Sequence, residues 1–247
     1  RALDADGNGT DLGVECEVYC WSPDGAELAC SRALGDKPGE APQVESFVVK
    51  VKTKEKTALK LPAGHMVTDW CPDGRFLSTS VSGTSPAEAK ARLHLLNRDG
   101  TEHKALAPDA NAGFARVSPD GGRALCVRLA FPKETAAERK ARDDAGGQLP
   151  PAARALAVVD VATGKATKVQ DVPENADLQE GYCWSPDGKR IAYAWRERHA
   201  GTPEELLNKE TESHLTVCDP DGKNQKTVAS AKGKGQWHIT LAGLDWR

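Results

Sequence analysis

Residues 20–25 read "CWSPDG", and the same six letters return at 183–188. Between them lie "WCPDG" at 70–74 and "VSPDG" at 117–121. The pentapeptide has the chemistry of a tight turn. Proline presets φ at the first central position, aspartate bonds back to the following backbone, and glycine takes positive φ at little cost. A β-rich run follows each turn: "AELACS" after Gly25, "RFLSTS" after Gly74, "GRALCV" after Gly121 and "KRIAYAW" after Gly188. Each motif is therefore expected to join two antiparallel strands. Its residues are Trp21, Pro23, Asp24 and Gly25, then Trp70, Pro72, Asp73 and Gly74, then Pro119, Asp120 and Gly121, and finally Trp184, Pro186, Asp187 and Gly188.

A second hairpin follows in each unit. Its first strand is "SFVVKV" (46–51), "RLHLLN" (92–97), "ALAVVD" (155–160) or "HLTVCD" (214–219), and a polar turn leads to a short last strand. A further strand, such as "HMVTDW" (65–70), runs into the next motif. Trp21, Trp70, Val117, Trp184 and Trp246 recur at intervals of 49, 47, 67 and 62 residues. Four-stranded units in tandem at such a period mark a β-propeller, because one small sheet with two apolar faces cannot bury both alone.

"WSPDGKRIAYA" at 184–194 and "LTVCDPDGKNQKTVAS" at 215–230 resemble the repeat of TolB-type β-propellers. The likeness covers nearly the whole chain, and the shared residues are scaffold. Cys71 departs from it by replacing the serine, and Val117 by replacing the tryptophan. The expected fold is all-β, one propeller domain with blades at 15–61, 65–108, 112–171 and 180–230. A fifth blade would close from 1–14 and 237–247, because the two ends match complementary parts of a unit and closure removes exposed sheet edges. A truncated ring of six or seven blades is the alternative. The repeated tryptophans are expected to be buried between blades. The resemblance also implies the bacterial periplasm or cell envelope.

Composition excludes some partners. With 33 basic and 36 acidic residues, net charge −3, the chain gives no electrostatic reason to expect nucleic acid. No apolar run approaches the ~18–20 residues that span a bilayer, so no membrane insertion is expected within this chain. Cys16, Cys20, Cys30, Cys71, Cys126, Cys183 and Cys218 include no CxxC pair. Their repetition at matched places reads as small buried core residues.

Two motifs invite other readings. Asp4, Asp6, Asn8, Gly9 and Glu15 fall at positions of an EF-hand loop. Asp11 stands where that loop wants an apolar residue, no amphipathic helix flanks it, and a hairpin turn explains the composition. No metal or other cofactor is expected. Histidines 65, 94, 103, 199, 214 and 238 are scattered, and His94 and His214 read as packed or exposed polar residues. GxSxG, HExxH and phosphate-loop signatures are absent.

The connections between second and third strands, 33–45, 81–91, 129–154 and 196–213, are long, whereas the other turns are short. Chain length concentrated on one rim marks that rim for binding. Stretches 133–145 and 202–210 read as partly helical. Arg32, Arg128, Arg196, Arg198 and His199 are the candidate binding residues there. The expected role is a non-enzymatic scaffold that holds another protein or a small ligand on this face. The alternatives are a propeller enzyme such as a glycoside hydrolase, for which Asp69 and Asp245 make a weak acidic set, and a ligand-sensing domain cut from a larger receptor or peptidase.

Overall fold

The computed structural model describes residues 2–3, 9–35, 43–82, 90–107, 111–130, 135, 137, 140–141, 153–171, 176–197, 209–234 and 246. β1 (Ala2–Leu3) and β2 (Gly9–Thr10) form a short antiparallel ladder with Ala2 opposite Thr10. Residues 4–8 between them lie outside the described residues. Four four-stranded sheets follow. The first runs β3 (Val18–Trp21), β4 (Glu27–Ala33), β5 (Val44–Lys50), β6 (Lys56–Ala58). The second runs β7 (His65–Trp70), β8 (Phe76–Ser82), β9 (Lys90–Leu96), β10 (Glu102–Leu106). The third runs β11 (Ala112–Val117), β12 (Arg123–Ala130), β13 (Ala153–Asp160), β14 (Ala166–Asp171). The fourth runs β15 (Ala176–Trp184), β16 (Ile191–Glu197), β17 (Glu210–Cys218), β18 (Lys226–Lys234). In each sheet, order in space equals order in sequence, as tight connections require.

The repeated pentapeptide builds the turn between the first two strands each time. Ser22 Oγ–H donates to Asp24 Oδ1 at 2.6 Å, and the N–H groups of Ala26 and Glu27 donate to Asp24 Oδ1 and Ser22 Oγ. Gly25 N–H donates to the Ser22 carbonyl at 2.9 Å, with φ at +69°. Ser118 with Asp120 and Ser185 with Asp187 repeat the set. Where Cys71 replaces the serine, Arg75 compensates by donating to Asp73 through its backbone N–H and its Nε.

By internal packing the chain forms two compact units, Arg1–Cys126 with Asp160–Lys165, and Val127–Val159 with Ala166–Arg247. In the first unit, Cys20, Ala29 and Val48 of the first sheet pack with Val67, Trp70, Phe76 and Leu96 of the second. Side chains also pin neighbouring sheets through backbone amides. Val67 N–H donates to Ser31 Oγ at 3.0 Å, Val117 N–H to Asp69 Oδ2 at 2.7 Å, and Phe114 N–H to Thr79 Oγ1 at 2.9 Å. In the second unit, Arg154 reaches the Leu178 carbonyl.

Trp70 and Trp184 are buried, at 4% and 6% exposure, but Trp21 is only half-buried, which corrects the expectation of three equivalent buried tryptophans. Its position in the strand is the same, opposite Leu28 as Trp70 is opposite Phe76 and Trp184 opposite Ile191. The difference lies in what covers it. Trp70 packs among residues of the preceding sheet, whereas Trp21 borders a cluster covered by Leu12, Val14 and Cys16. Five of the seven cysteines are buried, Cys16 and Cys183 are half-buried, and all are free thiols. The closing stretch 237–245 lies outside the described residues, as do Asp4, Asp6 and Asn8 of the calcium-like loop.

Candidate functional site

Arg32, Arg128 and Arg196 lie inside strands β4, β12 and β16. This corrects their expected place in loops. The strands run further than their apolar cores, so the connections shrink to 34–43, 83–89, 131–152 and 198–209. Cross-strand pairing extends them. Arg32 stands opposite Glu45 and donates to its carboxylate at 2.7 Å, and Lys56 reaches the same carboxylate at 3.3 Å. The two cations hold the Glu45 carboxyl below its usual range, Arg32 first. Arg128 is half-buried; Arg196 is half-buried and in register with Asp177 and Ser213. Arg198 and His199 lie outside the described residues. Of the two expected helical stretches, residues 137, 140 and 141 have helical backbone, whereas Glu210 begins strand β17.

A polar layer lies close to the same strand ends. Ser31 and Ser46 face each other with hydroxyls 2.8 Å apart and are fully buried. In the second sheet His65 stands opposite Ser80 and His94 opposite Ser78, yet the bonds run diagonally. His65 Nδ1 pairs with Ser78 Oγ at 2.9 Å, and Ser80 Oγ with His94 Nε2 at 2.8 Å. The two rings meet with centroids 4.4 Å apart. His65 and His94 are both buried, so His94 takes the packed one of the two readings expected for it.

In the second unit His214 stacks on Trp195, centroids 4.1 Å apart and planes 25° from parallel. Its Nε2 is buried with no hydrogen-bond partner among the described residues. A buried nitrogen without a partner loses hydration for nothing in return. Sequence reasoning missed this pair because the partners are far apart in the chain and meet only through the register of β16 and β17.

A cleft of about 600 Å³ lies elsewhere in this unit, on one face of the fourth sheet. Leu215, Val217 and Val228 line it, with Arg190 set over the Trp246 ring at 5.1 Å. Asp219 also lines it but accepts a bond from Asn224 Nδ2 at 2.6 Å. Among the described residues no three His, Cys, Asp or Glu side chains are grouped to hold a metal, and no helix is long and apolar enough to cross a membrane.

Asp69, the described member of the acidic set weighed for glycoside chemistry, is engaged structurally. Its carboxylate accepts from Trp70 N–H at 3.0 Å as well as from Val117. Burial pushes its pKa up, against the pull of Arg116 and these two amides. Asp245 lies outside the described residues.

The fold these strands define is a TolB-like β-propeller. TolB from Acinetobacter baumannii matches 90% of this chain at 15% identity, with a TM-score of 0.54. An oligogalacturonate lyase in complex with manganese matches 85% at 16% identity and a TM-score of 0.52. The acylaminoacyl peptidase of Pyrococcus horikoshii matches 87% at 9% identity and a TM-score of 0.57. The chain spans 43%, 52% and 32% of those three proteins, so about half their length or less. No protein-family model matches the sequence, and no curated protein does. The fold thus occurs in a lyase and a peptidase as well as in TolB, and fold alone does not choose between catalysis and binding.

Proposed function

We propose that the chain is a single propeller domain acting as a non-enzymatic binding scaffold, with a protein partner or small ligand held by the connections 34–43, 83–89, 131–152 and 198–209. The carrying observation is an asymmetry repeated in all four sheets. First and second strands are joined by a tight Pro-Asp-Gly turn, bonded through serine and aspartate in three sheets and through Arg75 and Asp73 in the second, while second and third strands are separated by long connections. A concave site needs walls, and only the long connections supply chain for them. Arg32, Arg128 and Arg196 stand next to those connections, with Arg198 and His199 in the last of them. The Trp195–His214 stack adds an aromatic surface at the same strand end. A preformed sheet presents such groups with little ordering cost.

A glycosidase reading would need two carboxylates roughly 5–9.5 Å apart. Asp69 is already bonded to two amides, which disfavours it as one of them. The TolB-type repeat supports the bacterial periplasm or envelope as the place of action. Site-specific photo-crosslinking tests the reading, with the crosslinker at Arg196 or Arg32 on one side and at Lys189 or Asp73 on the other. Adducts from the first pair alone are expected. Adducts from the turn positions alone would transfer the site to the opposite face.

A further inference from the structure

Cys183, Ala192 and Val217 form one row across the fourth sheet, with Ala192 opposite both of the others. All three line the cleft of about 600 Å³. Cys20, Ala29 and Val48 form the same row in the first sheet, again starting one residue before the motif tryptophan. There the row is covered. Trp70, Phe76 and Leu96, set in a row of their own by the register of the second sheet, pack on it, and Val48 is 6% exposed. At the cleft the tryptophan alone recurs among the described residues, as Trp246, and Val217 is half-buried. By this correspondence the cleft is the space that Phe76 and Leu96 fill in the first unit.

The charges at the two places are reversed. Glu27, one residue before Leu28, accepts from Arg98 Nη2 at 2.6 Å, and the Arg98 guanidinium lies over the Trp70 ring. Arg190, one residue before Ile191, holds the place of Glu27 and itself lies over the Trp246 ring. It is exposed, and neither it nor Lys226, the other cation lining the cleft, makes an ion pair among the described residues. Asp219, the acid that lines the cleft, is bonded by Asn224. A segment seated here therefore matches the cleft best with an acid where the second sheet carries Arg98.

We propose that the cleft seats a β-hairpin of a partner polypeptide. Two large apolar side chains facing each other across the hairpin cover Ala192 and Val217, and a carboxylate of the hairpin pairs with Arg190. Apolar burial drives the association, and the ion pair fixes its register and rejects basic hairpins. The surface is a sheet face and not the long connections, so the proposal does not rest on the binding role above.

The probe is a fluorescein-labelled synthetic peptide with the sequence of residues 75–98, whose Phe76 and Leu96 stand opposite each other in the hairpin. It is made unchanged and with Arg98→Glu, and its anisotropy is followed on titration with the full chain. The Arg98→Glu peptide should bind saturably and about tenfold tighter than the unchanged one. Adding Phe76→Ser to it should weaken binding by about tenfold or more. With Arg190→Glu in the chain the preference between the two charges should reverse. No saturation, equal affinities for the two peptides, indifference to Phe76→Ser, or a preference that survives Arg190→Glu would each overturn the proposal. The peptide comparison leaves the chain untouched, so it decides even if Arg190→Glu does not fold.

Discussion

Gly222 sits so close to Val169 that a Cβ on the glycine would lie 2.0 Å from the Val169 carbonyl oxygen. The turn between β17 and β18 is thereby seated on the last strand of the preceding sheet. Gly100 repeats the relation in the first unit, its imagined Cβ 2.7 Å from the Lys60 carbonyl oxygen. Gly222 also holds φ at +81°. Alanine there adds a backbone collision to left-handed strain, and a loss of at least ~2 kcal/mol is expected in urea unfolding. Gly25 is the control. Its φ is +69°, but a Cβ would meet nothing within 4 Å, so Gly25→Ala should cost about 1 kcal/mol. Equal losses at the two sites would show that the β17–β18 turn does not rest on Val169.

The tryptophans should rank by what covers them. Trp70 meets Phe76 edge-on at 4.8 Å, with Arg98 over its ring at 4.9 Å. Trp70→Ala and Trp184→Ala should each cost roughly 3–5 kcal/mol. Trp21→Ala should cost clearly less, since that ring already meets water. Chemical denaturation of the three variants measures the order. A Trp21 loss as large as the others would mean that the face of the first sheet beside Leu12 is more fully covered.

The sequence made the hairpins legible because Ser-Pro-Asp-Gly bonds within itself, and short-range chemistry leaves a short-range signature. Strand ends were less legible. Arg32 and Glu45 look like loop residues until the register of β4 and β5 sets them opposite each other. The pins between sheets left no signal at all. Nothing near Asp69 reveals that Val117 N–H lies 2.7 Å away, because that meeting depends on the stacking of two sheets. The His214–Trp195 stack was hidden for the same reason.

Removing a pin should expose its amide. Asp69→Ala leaves the Val117 N–H without its acceptor, and a buried unsatisfied donor costs about 1–3 kcal/mol. Amide hydrogen exchange at Val117 and Trp70 should accelerate in that variant while exchange in the fourth sheet stays unchanged. Uniform acceleration throughout would show that Asp69 supports the whole chain and not one junction.

Acid should act on the fold in two opposing ways. The Ser22, Ser118 and Ser185 hydroxyls hold the Asp24, Asp120 and Asp187 carboxyls below the usual range, and the Arg75 side chain does so for Asp73. A carboxyl lowered by folding stabilises the protein above its unfolded pKa, and that stability is lost as pH falls through the folded value. The four turns should therefore weaken together below about pH 4. Asp69 has the opposite sign. Burial raises its pKa, so its contribution is fully present below the unfolded value and lost as pH rises through the folded one. Changing all four turn aspartates to asparagine should lower stability at neutral pH and flatten the acid limb. For Asp69→Asn the comparison with wild type should shift in favour of wild type as pH falls from about 7 to about 4. Urea unfolding across that range measures both. Parallel curves for wild type and Asp69→Asn would show that burial does not hold the Asp69 proton.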